Sequence, residues 1–114
     1  MDSKVFNSIV NNRIRRIKTV LATKAKEYAR EDRLHNFKRA GVIAGLTPEA
    51  ALMGMFLKHI VSILDMVDTI EAQPQSLGTW DEKIGDAINY LILLEALTFE
   101  RLVSSRTLEE KENA

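Results

Sequence analysis

The sequence predicts an all-α protein, a four-helix bundle of three long helices and one short one. Residues 1–103 form the single domain, and residues 104–114 form a polar tail expected to fray. Three observations carry this. Apolar residues recur every three or four positions through most of the chain, the period of an amphipathic helix. Two segments open with helix-start signals. Five glycines and two prolines among 114 residues are too few for a turn-rich β fold.

The first helix is expected from Ser3 to about Arg30. Val5/Phe6, Ile9/Val10, Ile14, Ile17, Val20/Leu21 and Ala25/Tyr28 form its apolar stripe, opposite a basic face. The charged run Arg30-Glu31-Asp32-Arg33 breaks the pattern and marks a bend. His35 to Ala44 reads as the short helix, with Phe37, Ala40/Gly41 and Ile43/Ala44 turned inward and Gly45 as C-cap. Thr47-Pro48-Glu49 then supplies an N-cap, a proline at the first helical position and an acid in the first turn. The third helix should reach about Glu71, burying Leu52, Phe56, Ile60, Ile63/Leu64, Val67 and Ile70. After the linker at 72–78, Thr79 and Glu82 fit a capping box. The fourth helix is expected from Trp80 to about Val103. Its middle, Ala87 to Leu97, is apolar on nearly every side, so it should sit centrally, covered by neighbours or by another subunit. A dimer or tetramer is the expected state.

Composition narrows the function. The chain has no cysteine, which removes disulfides, thiolate metal sites and cysteine nucleophiles. No unbroken apolar run approaches the ~18 residues of a membrane span, and the start carries no apolar leader, so a cytoplasmic protein without membrane contact is expected. Sixteen basic and sixteen acidic residues cancel overall but not locally. Residues 1–46 hold eleven Lys/Arg against four Asp/Glu, and residues 47–114 hold five against twelve. The two halves must attract each other, face different partners, or both.

Polar residues on apolar helices are the informative ones. Lys58, Ser62, Asp65 and Thr69 share a face of the third helix, flanked by His59 and Asp68; Glu82, Asp86 and Asn89 share a face of the fourth. Asp86 and Asn89 open the most apolar stretch, where an unpaired polar group costs a few kcal/mol. Lys58, His59, a ligand or a metal must pair with them. Asp65, Asp68, Glu82 and Asp86 form a candidate Mg²⁺ set, since that ion takes oxygen ligands and shares them with substrate phosphates. The same acids also fit solvated helix faces and, for Glu82, the capping box. His59 reads either as a ligand or proton shuttle facing the carboxylates, or as a structural residue bonded to Asp65 or a neighbouring helix. Lys24, Tyr28, Asn36 and Lys38 cluster around the bend and suit an anion such as a triphosphate, with lysines as point charges and Tyr28 as a stacking platform. Asn12 to Lys18 reads as a solvated basic face.

The segments Glu27-Tyr28, Leu34-His35-Asn36-Phe37, Lys58-His59 and Glu82-Lys83-Ile84-Gly85-Asp86-Ala87-Ile88-Asn89-Tyr90 resemble small helical phage and prophage proteins. These are related to the MazG-like all-α nucleoside triphosphate pyrophosphatases and to nucleotide-modification-associated helical domains. The resemblance spans roughly Lys24 to Leu97. It implies a four-helix core completed by oligomerisation and Mg²⁺-dependent release of pyrophosphate from a nucleoside triphosphate. On that reading Glu82, Asp86 and Asp65 hold Mg²⁺, and Lys58 with the basic residues near the bend neutralises phosphate. Tyr28 and Asn36 contact base or sugar, and His59 and Asn89 complete the pocket. The group carries ExxE and ExxD acid pairs; this chain has Asp65-Met66-Val67-Asp68 and a Glu82-to-Asp86 spacing one residue longer.

Two other function classes fit the same sequence. One is a catalytically inactive interaction module that docks through its apolar fourth helix. The other is a DNA-binding protein, because Arg39 to Ala50 has a helix–turn–helix look. Against the latter, the helix that follows presents Met53, Met55, Phe56 and Leu57, which read base edges poorly. A nucleotide is therefore the expected partner, not a nucleic acid.

Overall fold

The computed structural model describes the backbone of residues 1–28 and 32–113, and the side chains of 1–21, 32–106 and 110–113. Four helices follow in order: α1 (Ser3–Tyr28), α2 (His35–Ala44), α3 (Pro48–Asp68) and α4 (Leu77–Glu112). The fold is all-α, with no strand among the described residues.

Local chemistry sets the helix ends. The Asp2 carboxylate accepts the Val5 N–H at 2.9 Å and opens α1. Asp32 does the same for the approach to α2, accepting from the Leu34 N–H at 2.9 Å. Gly45 closes α2 with φ 69°, a left-handed conformation that glycine adopts without steric cost. Leu46 N–H then donates back to the Gly41 carbonyl at 2.8 Å. A side chain at Gly41 would meet that turn, because its Cβ would lie 2.8 Å from the Leu46 carbonyl oxygen. Thr47 Oγ1 accepts the Ala50 N–H at 3.1 Å, as the N-cap expected for α3.

α4 departs from expectation at both ends. It starts at Leu77, and its cap is Ser76: the hydroxyl accepts the Thr79 N–H at 3.1 Å and the carbonyl accepts from Trp80 N–H. Thr79 is inside the helix with its hydroxyl bonded to Ser76, so the Thr79–Glu82 capping box does not form. Ser76 and Thr79 stand three apart with equal capping chemistry, and the earlier one wins because Leu77 and Gly78 can be helical. At the far end α4 continues through residues 104–112 instead of stopping near Val103.

α3 and α4 are antiparallel. Glu49, at the start of α3, holds Arg101 of α4 in a two-pronged ion pair at 2.7 and 2.8 Å. α2 folds back on α3, and α1 packs on α4, running parallel to it. The core joins Leu34 and Phe37 to Leu52 and Phe56 of α3 and Ala87 and Leu97 of α4. Tyr90, partly buried, packs against it, edge-on to Phe37 at 6.4 Å and tilted against Phe56 at 6.0 Å.

The buried stripe of α3 is narrower than the sequence pattern implies. Leu64, Val67 and Ile70 are exposed, while Met66 is buried; Ile70 lies beyond the helix end. α2 buries Phe37 and Gly41 but leaves Ile43 and Ala44 outside. One chain has too few helices to cover every apolar face these segments carry.

The basic and acidic halves meet in part. Lys38 bridges Asp32 at 2.7 Å and Glu100 at 2.6 Å. These bonds lower the Asp32 pKa, chiefly through Lys38, and raise that of Lys38, chiefly through Asp32. The Arg101 guanidinium likewise holds the Glu49 carboxyl below its usual range. Both acids therefore stabilise the fold at neutral pH, and that contribution disappears as pH falls through their depressed values.

Candidate functional site

A polar groove of about 530 Å³ runs between α1 and α4. α1 supplies Asn12, Arg13, Arg15, Arg16 and Thr19, and α4 supplies Asp81, Glu82, Asp86 and Asn89. Helical spacing explains both walls. Asn12, Arg16 and Thr19 recur at four and three, as do Glu82, Asp86 and Asn89 (four and three), so each set lines one side of its helix.

Asp81 ties the two walls together. Its carboxylate accepts from Arg13 Nη2 at 2.5 Å and is also paired with Arg16. Gly85 makes room for the clasp, since a Cβ there would lie 2.7 Å from Arg13 Nη1. Arg15 lines the same groove and is exposed. Three guanidinium groups thus face three carboxylates, with Asp81 already taken.

Asn89 sits deeper. It is 8% exposed, and its Oδ1 accepts no hydrogen bond from the described residues. A buried acceptor left unsatisfied costs about 1–3 kcal/mol, so a donor on a bound molecule would recover that cost. Asp86 is partly exposed, and His59 Nδ1 stands 4.0 Å from its Oδ2. The His59 ring also rests against Tyr90, centroids 4.8 Å apart, which joins the structural and the site readings of this histidine.

The expected metal set is not assembled within one chain. Asp65 and Asp68 are exposed on α3. Ile63 and Phe56 face α4, and Asp65 falls about 200° round the helix from Ile63, so it turns away from the groove. Glu82 and Asp86 do share the groove. Among the described residues no three of His, Asp and Glu converge to hold a metal ion. Two carboxylates on one helix do not form a resident cage, but Mg²⁺ entering on a phosphate chain needs only one or two.

The expected nucleotide contacts scatter. Asn89 lines the groove and His59 stands beside it through Asp86. Lys38 is engaged by Asp32 and Glu100, and Asn36 and Lys58 are exposed elsewhere. The side chains of Lys24 and Tyr28 lie outside the described residues. Sequence reading missed Arg13, Arg15, Arg16 and Asp81 as groove residues. The available signal was the three-residue spacing of Arg13 and Arg16, which puts both on the side where one acid can bridge them. No protein-family model, curated protein or solved structure matches the chain.

Proposed function

We propose that the α1–α4 groove binds a nucleotide, its phosphates along the arginines of α1 and its base or sugar at Asn89. The single observation that carries this is the buried, unsatisfied Oδ1 of Asn89 in a groove whose other wall is cationic. Asn presents both a donor and an acceptor, the pairing a nucleobase edge satisfies. Arg15 gives a planar donor fork for phosphate oxygens, with Arg13 and Arg16 held beside it by Asp81. Glu82 and Asp86 take the Mg²⁺ that accompanies a polyphosphate. On this reading the chain is a MazG-like helical protein of phage type, working as a homo-oligomer. The proposal is of binding; release of pyrophosphate, which the resemblance implies, is read out separately by product analysis.

Thermal unfolding against the four nucleoside triphosphates, with and without Mg²⁺, tests it. At least one triphosphate should raise Tm by several degrees, since ligand at 100 times Kd adds about 2.7 kcal/mol. Asp86→Ala should remove the Mg²⁺-dependent part while leaving the helical signal intact. Flat transitions with all four triphosphates would discard the reading.

A further inference from the structure

Asp81 ties up two of the three arginines that line the groove. Arg13 and Arg16 stand three residues apart on α1, so one acid of the parallel helix can reach both. Arg13 Nη2 donates to Asp81 Oδ1 and Arg16 Nη1 pairs with Oδ2, so each carboxylate oxygen has its own guanidinium. The side chains of Arg13, Arg16 and Asp81 are 20%, 55% and 30% exposed. The clasp is therefore shielded at Arg13 and open to water at Arg16, where an ion pair is weakly held.

The same groove is electrically balanced. Arg13, Arg15 and Arg16 face Asp81, Glu82 and Asp86, and the formal charges of the two sets cancel. Such a groove attracts neither a phosphate chain alone nor a divalent cation alone, because each meets as much like charge as opposite charge. The two together bring both signs and can be sorted to opposite walls. Asn89 independently marks the groove as a place for a ligand, since it is 8% exposed and its Oδ1 has no donor among the described residues.

We propose that Asp81 is an internal competitor for the ligand's phosphate, and that it exchanges its arginines for a divalent cation when a polyphosphate enters. In the exchanged state Arg13 and Arg16 turn their donor forks to phosphate oxygens, and Asp81 joins Glu82 and Asp86 as a third carboxylate at the cation. Every broken ion pair is replaced by one of the same signs. The clasped chain brings no three acids together among the described residues, in keeping with Asp81 being drawn toward α1. The exchange favours a di- or triphosphate over a monophosphate, because a chain of phosphates can span the arginines and still hold the cation. This inference rests on the reading of the groove as a nucleotide site, and adds what controls entry to it.

Isothermal titration of the full chain with inorganic triphosphate, with and without Mg²⁺, tests the exchange. For the wild type, Mg²⁺ should strengthen binding about tenfold or more, within the usual range of coupling between two ligands. Asp81→Asn keeps an oxygen for Arg13 and drops the charge. Without Mg²⁺ it should bind triphosphate about tenfold more tightly than the wild type does, and its gain from Mg²⁺ should shrink. A purely structural role for Asp81 predicts the opposite, weaker binding in both conditions as α1 loosens. Glu110→Gln, which removes an exposed acid near the far end of α4, should match the wild type. Each of these results would overturn the exchange: wild-type binding indifferent to Mg²⁺, no binding by either form, or Asp81→Asn no tighter than the wild type without Mg²⁺. The nucleotide reading fails separately. Triphosphate bound as described, with no nucleoside triphosphate shifting Tm, would remove the base and sugar contacts and leave the exchange standing.

Discussion

Leu52→Ala is expected to lower stability by about 2–5 kcal/mol, the range for deleting a buried leucine side chain. Leu52 is 1% exposed and joins Phe37, Phe56 and Leu97 in one cluster. Removing three carbons there leaves a cavity that can close only if α2 or α4 moves. The rest of the fold limits that motion. The ion pair of Glu49 with Arg101 fixes the spacing of α3 and α4, and the close turn at Gly41 fixes α2 on α3. Urea unfolding followed by circular dichroism, at one protein concentration for both forms, measures the loss. A change below about 1 kcal/mol would show that this cluster is not where folding energy is concentrated.

Asp81→Ala is expected to act locally. α1 exposes Val5, Phe6, Ile9, Val10 and Ile14, so apolar burial holds it weakly. Asp81 is its polar anchor through Arg13 and Arg16. Without the carboxylate, Arg13 is left half-buried beside Arg16 with like charge facing like charge. The loss should be about 1–2 kcal/mol, felt as opening of α1 ahead of the rest of the bundle. Amide exchange should accelerate across residues 5–21 while α3 remains protected. Uniform acceleration over all helices would show instead that α1 is integral to global unfolding.

Helix type and most helix starts were legible because they rest on neighbours in sequence. Thr47-Pro48-Glu49 and Gly45 behave as their local chemistry dictates. The start of α4 was ambiguous for the same reason: Ser76 and Thr79 offer equivalent caps, and whether Leu77 and Gly78 join the helix decides between them. The groove was not legible. Arg13 and Asp81 are 68 residues apart, and periodicity says which side of a helix is apolar, not which neighbour it meets. The excess of apolar stripes was visible in Leu64 and Val67, but it could be read as core until the single chain proved unable to bury them. Asn89 was identified from polarity inside an apolar stretch, a signal that needs no knowledge of packing.

Hydrogen exchange on the full chain, with and without a stabilising nucleoside triphosphate and Mg²⁺, most directly locates what binds where. A ligand seated between α1 and α4 slows amide exchange over residues 12–20 and 78–89 and leaves the rest of the pattern in place. Slowing confined to the bend around His35 and Lys38, or no slowing at saturating nucleotide, would contradict the assignment of the groove as the site.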